Sequence, residues 1–141
     1  MQQKIDRSAI SPDESEKLKD ELADNLQVSD GILEIRQILR HKKRFLDLLL
    51  LADEQESMIN LYLERGEMFA LYDQNILRTI CVVTNEGNKT VELKNIATDP
   101  QYQKLGYGKK LIKFISEHYA GKYDTLLVGT GESPLTVLFY E

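Results

Sequence analysis

The 141-residue chain is 42% hydrophobic and 29% charged, the balance of an ordinary globular domain with one core. A net charge of −5 argues against general affinity for nucleic acid, and a single cysteine excludes an intrachain disulfide. The acidity is uneven, with a net −4 in residues 1–31 and only −1 in residues 32–141. The polar N-terminus shows no signal-peptide pattern, and the longest apolar run, Leu48 to Ala52, is far too short to span a bilayer. With the lone Cys81 in an apolar run and no basic residue beside it, these features point to a reducing, cytoplasmic setting without membrane attachment.

In chain order, Ser11-Pro12-Asp13-Glu14 reads as a capping box with proline at the first helical position. Leu18, Leu22 and Leu26 then recur every four residues, predicting a charged helix of about four turns with a narrow apolar stripe. Two readings of this acidic arm stay open: a helix docked on the domain or a partner, and a poorly ordered tail. Ile32 to Ile38 alternates as a first strand. Phe45 to Ala52 and Met58 to Leu63 read as helices separated by Asp53-Glu54-Gln55-Glu56, and Gly66 as a helix stop. Met68 to Tyr72, Ile76 to Thr84 and Thr90 to Thr98 read as three strands of an antiparallel meander, joined by turns at Asp73-Gln74-Asn75 and Asn85-Glu86-Gly87-Asn88.

After Asp99-Pro100 comes the loop Gln103-Lys104-Leu105-Gly106-Tyr107-Gly108 and then an amphipathic helix carrying Gly108, Leu111, Ile112, Ile115 and Tyr119 on one face, stopped by Gly121. Thr125 to Gly129 is a short apolar strand, suited to lie parallel to Thr90–Thr98 across the helical crossover. Ser133-Pro134 reads as the cap of a last helix through Val137, Leu138, Phe139 and Tyr140. The order implies an α/β fold with a mixed sheet flanked by helices.

Two glycines one residue apart at a helix start let the backbone approach an anion with several N–H groups free to donate. Lys104, Lys109 and Lys110 surround that point. A Walker loop requires G-x-x-x-x-G-K-[ST], and no glycine lies in register before Gly108-Lys109-Lys110. A dinucleotide fingerprint requires a third glycine where Leu111 stands.

The pattern Q-x-x-G-x-G, following the strand Val91-Glu92-Leu93-Lys94-Asn95-Ile96-Ala97-Thr98, resembles the acetyl-CoA-binding motif of the GNAT superfamily of N-acetyltransferases. The likeness extends over roughly residues 32–141, making residues 1–31 an added arm. It implies that the cosubstrate is acetyl-CoA, with no metal, and that the amides of Gln103, Lys104, Leu105, Gly106, Tyr107 and Gly108 hold its pyrophosphate. The helix dipole would add about 0.3–1 kcal/mol there. Lys109 and its neighbours either contact phosphate or form a solvated face. The backbone of Ile96, Ala97 and Thr98 would pair with the pantetheine arm, and the Ala97 amide would polarise the thioester carbonyl. Ser133 stands where the family often contacts CoA, although a plain helix cap is the favoured reading.

Direct transfer to an alkyl amine requires deprotonation, which costs about 4–5 kcal/mol at neutral pH for a pKa near 10.4. The resemblance assigns Glu92 as the base, against a solvent-facing strand carboxylate, and Tyr140 as the acid that protonates the thiolate, against a packing tyrosine. Glu54, Glu56 and Tyr62 fall where the family often binds acceptors, so the partner is a small-molecule or protein amine. The second reading is a non-catalytic acyl-CoA-binding or interaction module with the same fold. The family normally continues past the position of Tyr140 with two more strands. Their absence would expose the edge of the Thr125–Gly129 strand, so the expectation is either a truncated product or an edge covered by a second copy in a homodimer or by the N-terminal arm.

Overall fold

The computed structural model describes residues 12–128 and 135–138. Seven strands form one sheet in chain order: β1 (Asn25–Asp30), β2 (Leu33–Ile38), β3 (Glu67–Asp73), β4 (Ile76–Gly87), β5 (Thr90–Thr98), β6 (Thr125–Val128) and β7 (Leu135–Leu138). All neighbours are antiparallel except β5 and β6, which run parallel around the crossover helix α4 (Tyr107–Tyr119). The expected mixed sheet with flanking helices is therefore present.

The alternation of each strand feeds two cores. Leu111, Ile115 and Tyr119 of α4 pack with Phe69, Leu71, Cys81, Val83, Val91 and Leu93 on one face. On the other, α2 (Leu46–Ala52) and α3 (Glu56–Tyr62) bring Leu48, Leu49 and Ile59 against Met68, Ala70, Ile80, Val82 and Ala97. Cys81 is fully buried between strands, and burial pushes its thiol well above the usual range, as expected of a packing residue.

A buried cation joins these layers. The Lys42 ammonium donates to the carbonyls of Leu63, Glu64 and Gly66 at 3.1, 3.3 and 2.6 Å, closing the turn after α3. Burial holds this amine below its ordinary pKa, with Glu64 and Glu67 opposing the shift. Gly66 itself is sterically required, since a Cβ there would stand 2.7 Å from Val82 Cγ1 and 2.9 Å from the Tyr62 carbonyl.

Three features differ from the sequence expectation. First, α1 (Pro12–Ala23) ends before Leu26, because Asn25–Asp30 pairs with β2 as a hairpin strand. The four-residue leucine spacing continued across the helix end by coincidence; Leu26 and Val28 also alternate as a strand does. The boundary drawn at residue 31 thus falls inside the β1–β2 turn. Second, Leu135–Leu138 is a strand, not part of a helix. A four-residue segment, Leu-Thr-Val-Leu, is too short to distinguish the two by periodicity, and the edge of β6 supplies a ladder for it. Third, β7 of the same chain consequently occupies the β6 edge that was expected to lie open for a second copy or the arm.

The acidic α1 is tied to the basic segment before α2. Asp20 is buried, with Arg40 Nε and His41 Nδ1 each 2.9 Å from its carboxylate, and Arg44 donates to both Asp24 oxygens at 2.8 and 2.9 Å. Burial alone would raise the Asp20 pKa. The His41 hydrogen bond and the charges of Arg44 and Arg40 outweigh it and hold the group below its ordinary value. A carboxyl depressed on folding contributes stability above its unfolded pKa, about 4, and loses it as pH falls through the lower folded value. Denaturant titrations from pH 5 to pH 3 should therefore cost the native chain more stability than the Asp20→Asn variant; parallel losses would contradict this role.

Candidate functional site

The loop between β5 and α4 is built to expose backbone amides. Asp99 accepts from the Gln101 N–H at 2.9 Å and starts a single tight turn, Pro100–Tyr102. Lys104 and Gly106 then take positive φ values of 67° and 89°, reversing the chain so that α4 begins at Tyr107. Such alternation of backbone hand makes a concave set of N–H groups, here adjoining the positive end of a 13-residue helix. A cavity of about 540 Å³ lies against it, lined by Thr98, Gln103, Lys104, Leu105, Gly106, Gly108 and Lys109.

The expected cofactor residues divide by what they present. Gly108 is open on the cavity side; a Cβ built there would meet only Thr98 Oγ1, at an ordinary 3.7 Å. Tyr107 turns its side chain inward, donating from its hydroxyl to Asp73 at 2.6 Å, and has only its backbone to offer. Lys104 and Lys109 stand on the cavity wall, whereas Lys110 lies 5.7 Å from the centre of the Tyr107 ring. Ser133 and Tyr140 lie outside the described residues.

The cavity reaches Thr98 at the end of β5. The described β5–β6 ladder runs to Leu93 and Val128, where the described part of β6 ends, and β5 continues to Thr98. Among the described residues, Asn95 to Thr98 pair only with β4. At about 3.3 Å per residue, the edge from Lys94 to Thr98 is roughly 13 Å long. Lys94 is the extra residue of a bulge, because Val82 opposes Asn95 while the adjacent Val83 opposes Leu93. The bulge changes which face the following residues take: Leu93 packs with α4, and Ala97 packs with α2 and α3.

The β4 ladder also decides which amides face away from β4. The Asp99 N–H donates to the Arg78 carbonyl at 2.8 Å, so alternation turns the Ala97 amide towards β4 and the Ile96 and Thr98 groups to the opposite side. Gln103 Nε2 reaches the Thr98 carbonyl from that side at 3.3 Å. The Ala97 amide expected to face a thioester is thus turned to β4, and the neighbouring Ile96 amide faces the other way.

Glu92 lies on the stretch of β5 paired to β6, opposite Leu127. Its carboxylate forms an ion pair with Lys94, whose ammonium also meets Glu86 at 3.0 Å. Burial would lower the Lys94 pKa, but the two carboxylates outweigh it and keep the amine above its ordinary value. Lys94 thus occupies the carboxylate that the resemblance assigns as the base.

Of the residues assigned to acceptor binding, Tyr62 is buried and Glu56 pairs with Lys43 at 3.0 Å. Tyr62 is held by Asn95, which sequence reasoning gave no role. Asn95 Nδ2 donates to the Leu49 carbonyl and to the Tyr62 hydroxyl, both at 3.0 Å, fastening α2 and α3 to the bulge. An amide side chain at an inward position of an apolar strand was the available signal. A larger cavity, about 590 Å³, lies between α1 and the β3–β4 turn, and none of the loop residues lines it.

Residues 64–141 match the model of the acetyltransferase (GNAT) domain. The chain belongs to the GNAT family of acetyltransferases. It is 40% identical over 91 residues to an uncharacterised N-acetyltransferase, YvbK, of Bacillus subtilis, covering 63% of this chain and 58% of that protein's length. Among solved structures, a GNAT acetyltransferase of Elizabethkingia anophelis with acetyl-CoA bound superposes with a TM-score of 0.67 at 31% identity, covering 74% of this chain and 69% of the other. A Bacillus subtilis acetyltransferase in complex with CoA gives 0.62 at 31% identity, covering 78% and 67%. An IAA acetyltransferase of Bacillus cereus gives 0.64 at 34% identity, covering 72% and 67%. In this GNAT chain the α1–β1 segment lies before the residues that match the family model. No helix among its described residues is long and apolar enough to cross a membrane.

Proposed function

We propose that the chain transfers an acetyl group directly from acetyl-CoA to a primary amine of a small molecule or protein. The reversed loop at residues 103–106, which sets backbone amides at the start of α4 against a cavity that also meets Thr98 at the end of β5, carries this reading. The loop amides and Lys104 or Lys109 would take the pyrophosphate, and the Ile96 and Thr98 backbone groups the pantetheine amides. CoA-bound relatives of similar fold support that assignment.

In the reaction, the amine nitrogen forms a bond to the thioester carbonyl carbon, the C–S bond breaks, and CoA leaves as a thiolate. The Ile96 amide is positioned to donate to the carbonyl oxygen as it gains charge. Glu92 lies four residues along the strand from Ile96, so it takes the amine proton through water. The thiolate proton comes from Tyr140, the role the family resemblance gives it.

Release of free CoA thiol over a panel of alkyl amines tests the reading; no release with any amine, together with no acetyl-CoA binding, would overturn it. Glu92→Gln should lower kcat about 100-fold while leaving the KM for acetyl-CoA within about twofold. Unchanged turnover in that variant would remove Glu92 from the chemistry. Binding of CoA without transfer by the native chain would favour the non-catalytic module.

A further inference from the structure

The loop Gln103–Gly106 is mostly exposed, with Leu105 61% exposed at its tip, so little of its own packing fixes its shape. Both ends instead converge on one side chain from β4. Arg78 is 8% exposed, and its guanidinium carbon lies 4.0 Å from the centre of the Tyr102 ring and 5.4 Å from that of Tyr107. Those two tyrosines immediately bracket the loop. The guanidinium also donates through Nη2 to the Asp73 carbonyl at 3.0 Å, and the Asp73 carboxylate accepts from the Tyr107 hydroxyl. On the main chain, the Arg78 carbonyl receives the Asp99 N–H, fixing the strand end that leads into the loop.

This is an unusual way to place a permanent cation. Among the described residues, Arg78 makes no ion pair, and its buried Nε has no hydrogen-bond partner. A buried guanidinium is compensated here by two aromatic faces and a carbonyl rather than by a carboxylate. The Asp73 carboxylate is joined to this cluster through the Tyr107 hydroxyl rather than by direct pairing with the guanidinium, so the rings and not an ion pair hold Arg78 against the loop.

We infer that Arg78 is a positioning residue for acetyl-CoA: it clamps Tyr102 and Tyr107, and thereby sets the spacing of the loop amides that receive the pyrophosphate. The inference rests on the acetyl-CoA reading above. It locates specificity for the phosphate-bearing part of the donor in a residue that does not line the cavity. A lysine retains the charge but not the planar group that lies against both rings, so the two contributions separate.

The test compares two acetyl donors, acetyl-CoA and S-acetylpantetheine, which lacks the phosphates, in the native chain and in Arg78→Gln, Arg78→Lys and Tyr102→Leu. Arg78→Gln should raise the KM for acetyl-CoA about tenfold, change kcat by less than about twofold, and leave kcat/KM for S-acetylpantetheine within about twofold. Arg78→Lys should recover part of the loss. Tyr102→Leu, which removes one half of the clamp and keeps the buried cation, should raise the same KM in the same direction. Equal losses with both donors would mean that Arg78 only supports the fold, and an unchanged KM for acetyl-CoA in both Arg78→Lys and Tyr102→Leu would overturn the clamp. Calorimetric titration of CoA into the native chain separates the two levels: no binding there defeats the acetyl-CoA reading itself, whereas native binding matched by the variants defeats only the clamp.

Discussion

The Gly108→Val variant is expected to fold as well as the native chain and to bind acetyl-CoA about 10- to 100-fold more weakly. Nothing in the protein forbids a side chain at this position. The first carbon would sit at ordinary contact distance from Thr98 Oγ1, and replacing glycine inside a helix ordinarily stabilises it by up to about 1 kcal/mol. What the added atoms would fill is the cavity against the loop amides. Overpacking of a fitted space typically costs about 1–3 kcal/mol, which sets the expected loss of affinity. Thermal denaturation and calorimetry on the same preparation separate the two effects. A variant with native affinity would place the ligand elsewhere, and one that unfolds would show that Gly108 serves packing instead. Gly106 is not the equivalent test, because its φ of 89° strains any other residue whatever the ligand does.

Lys42→Met should cost about 3 kcal/mol of stability and lower the melting temperature by roughly 10 °C. Methionine keeps most of the side-chain volume but removes the three donors that satisfy the carbonyls of Leu63, Glu64 and Gly66. The bonds to Leu63 and Gly66 are buried, so the penalty is that of stranded acceptors as well as of lost bonds. These carbonyls lie between α3 and β3, and their release would loosen the helix pair that Asn95 ties to the bulge. Chemical denaturation measures the loss directly; a change below about 1 kcal/mol would mean that water takes over the ammonium's role.

The difference between these two positions reflects what a linear sequence can express. Gly106 and Gly108 announce themselves, because a loop that must reverse its hand and admit a ligand to its backbone has few residue types available. The apolar runs of β3 and β4 between turn residues, the alternation of β5 and the three-to-four spacing of α4 were equally readable, since the first two strands are buried on both faces and α4 on one. By contrast, Lys42 looked like one more basic residue in His41-Lys42-Lys43-Arg44; its burial depends on a turn more than twenty residues away. The bulge at Lys94 was invisible because it is a relation between two strands, and the same ladder settles that Ile96 rather than Ala97 turns its amide outward. Arg78 read as an ordinary strand residue for the same reason: its partners Tyr102 and Tyr107 are set beside it only by the fold. The strands β1 and β7 were missed on local grounds, the first because leucine spacing ran past the helix end, the second because four residues are too few to carry a period.

The central claim is that acetyl-CoA lies along the side of β5 that faces away from β4, with its phosphates at the start of α4. Titrating acetyl-CoA into the isotopically labelled chain and following the backbone amide resonances tests it residue by residue. The largest changes should fall on Ile96, Thr98 and residues 104–108, with β1 and α1 unmoved. Changes centred on the cavity between α1 and the β3–β4 turn, with the amides of Ile96 and Gly108 unmoved at saturation, would contradict it.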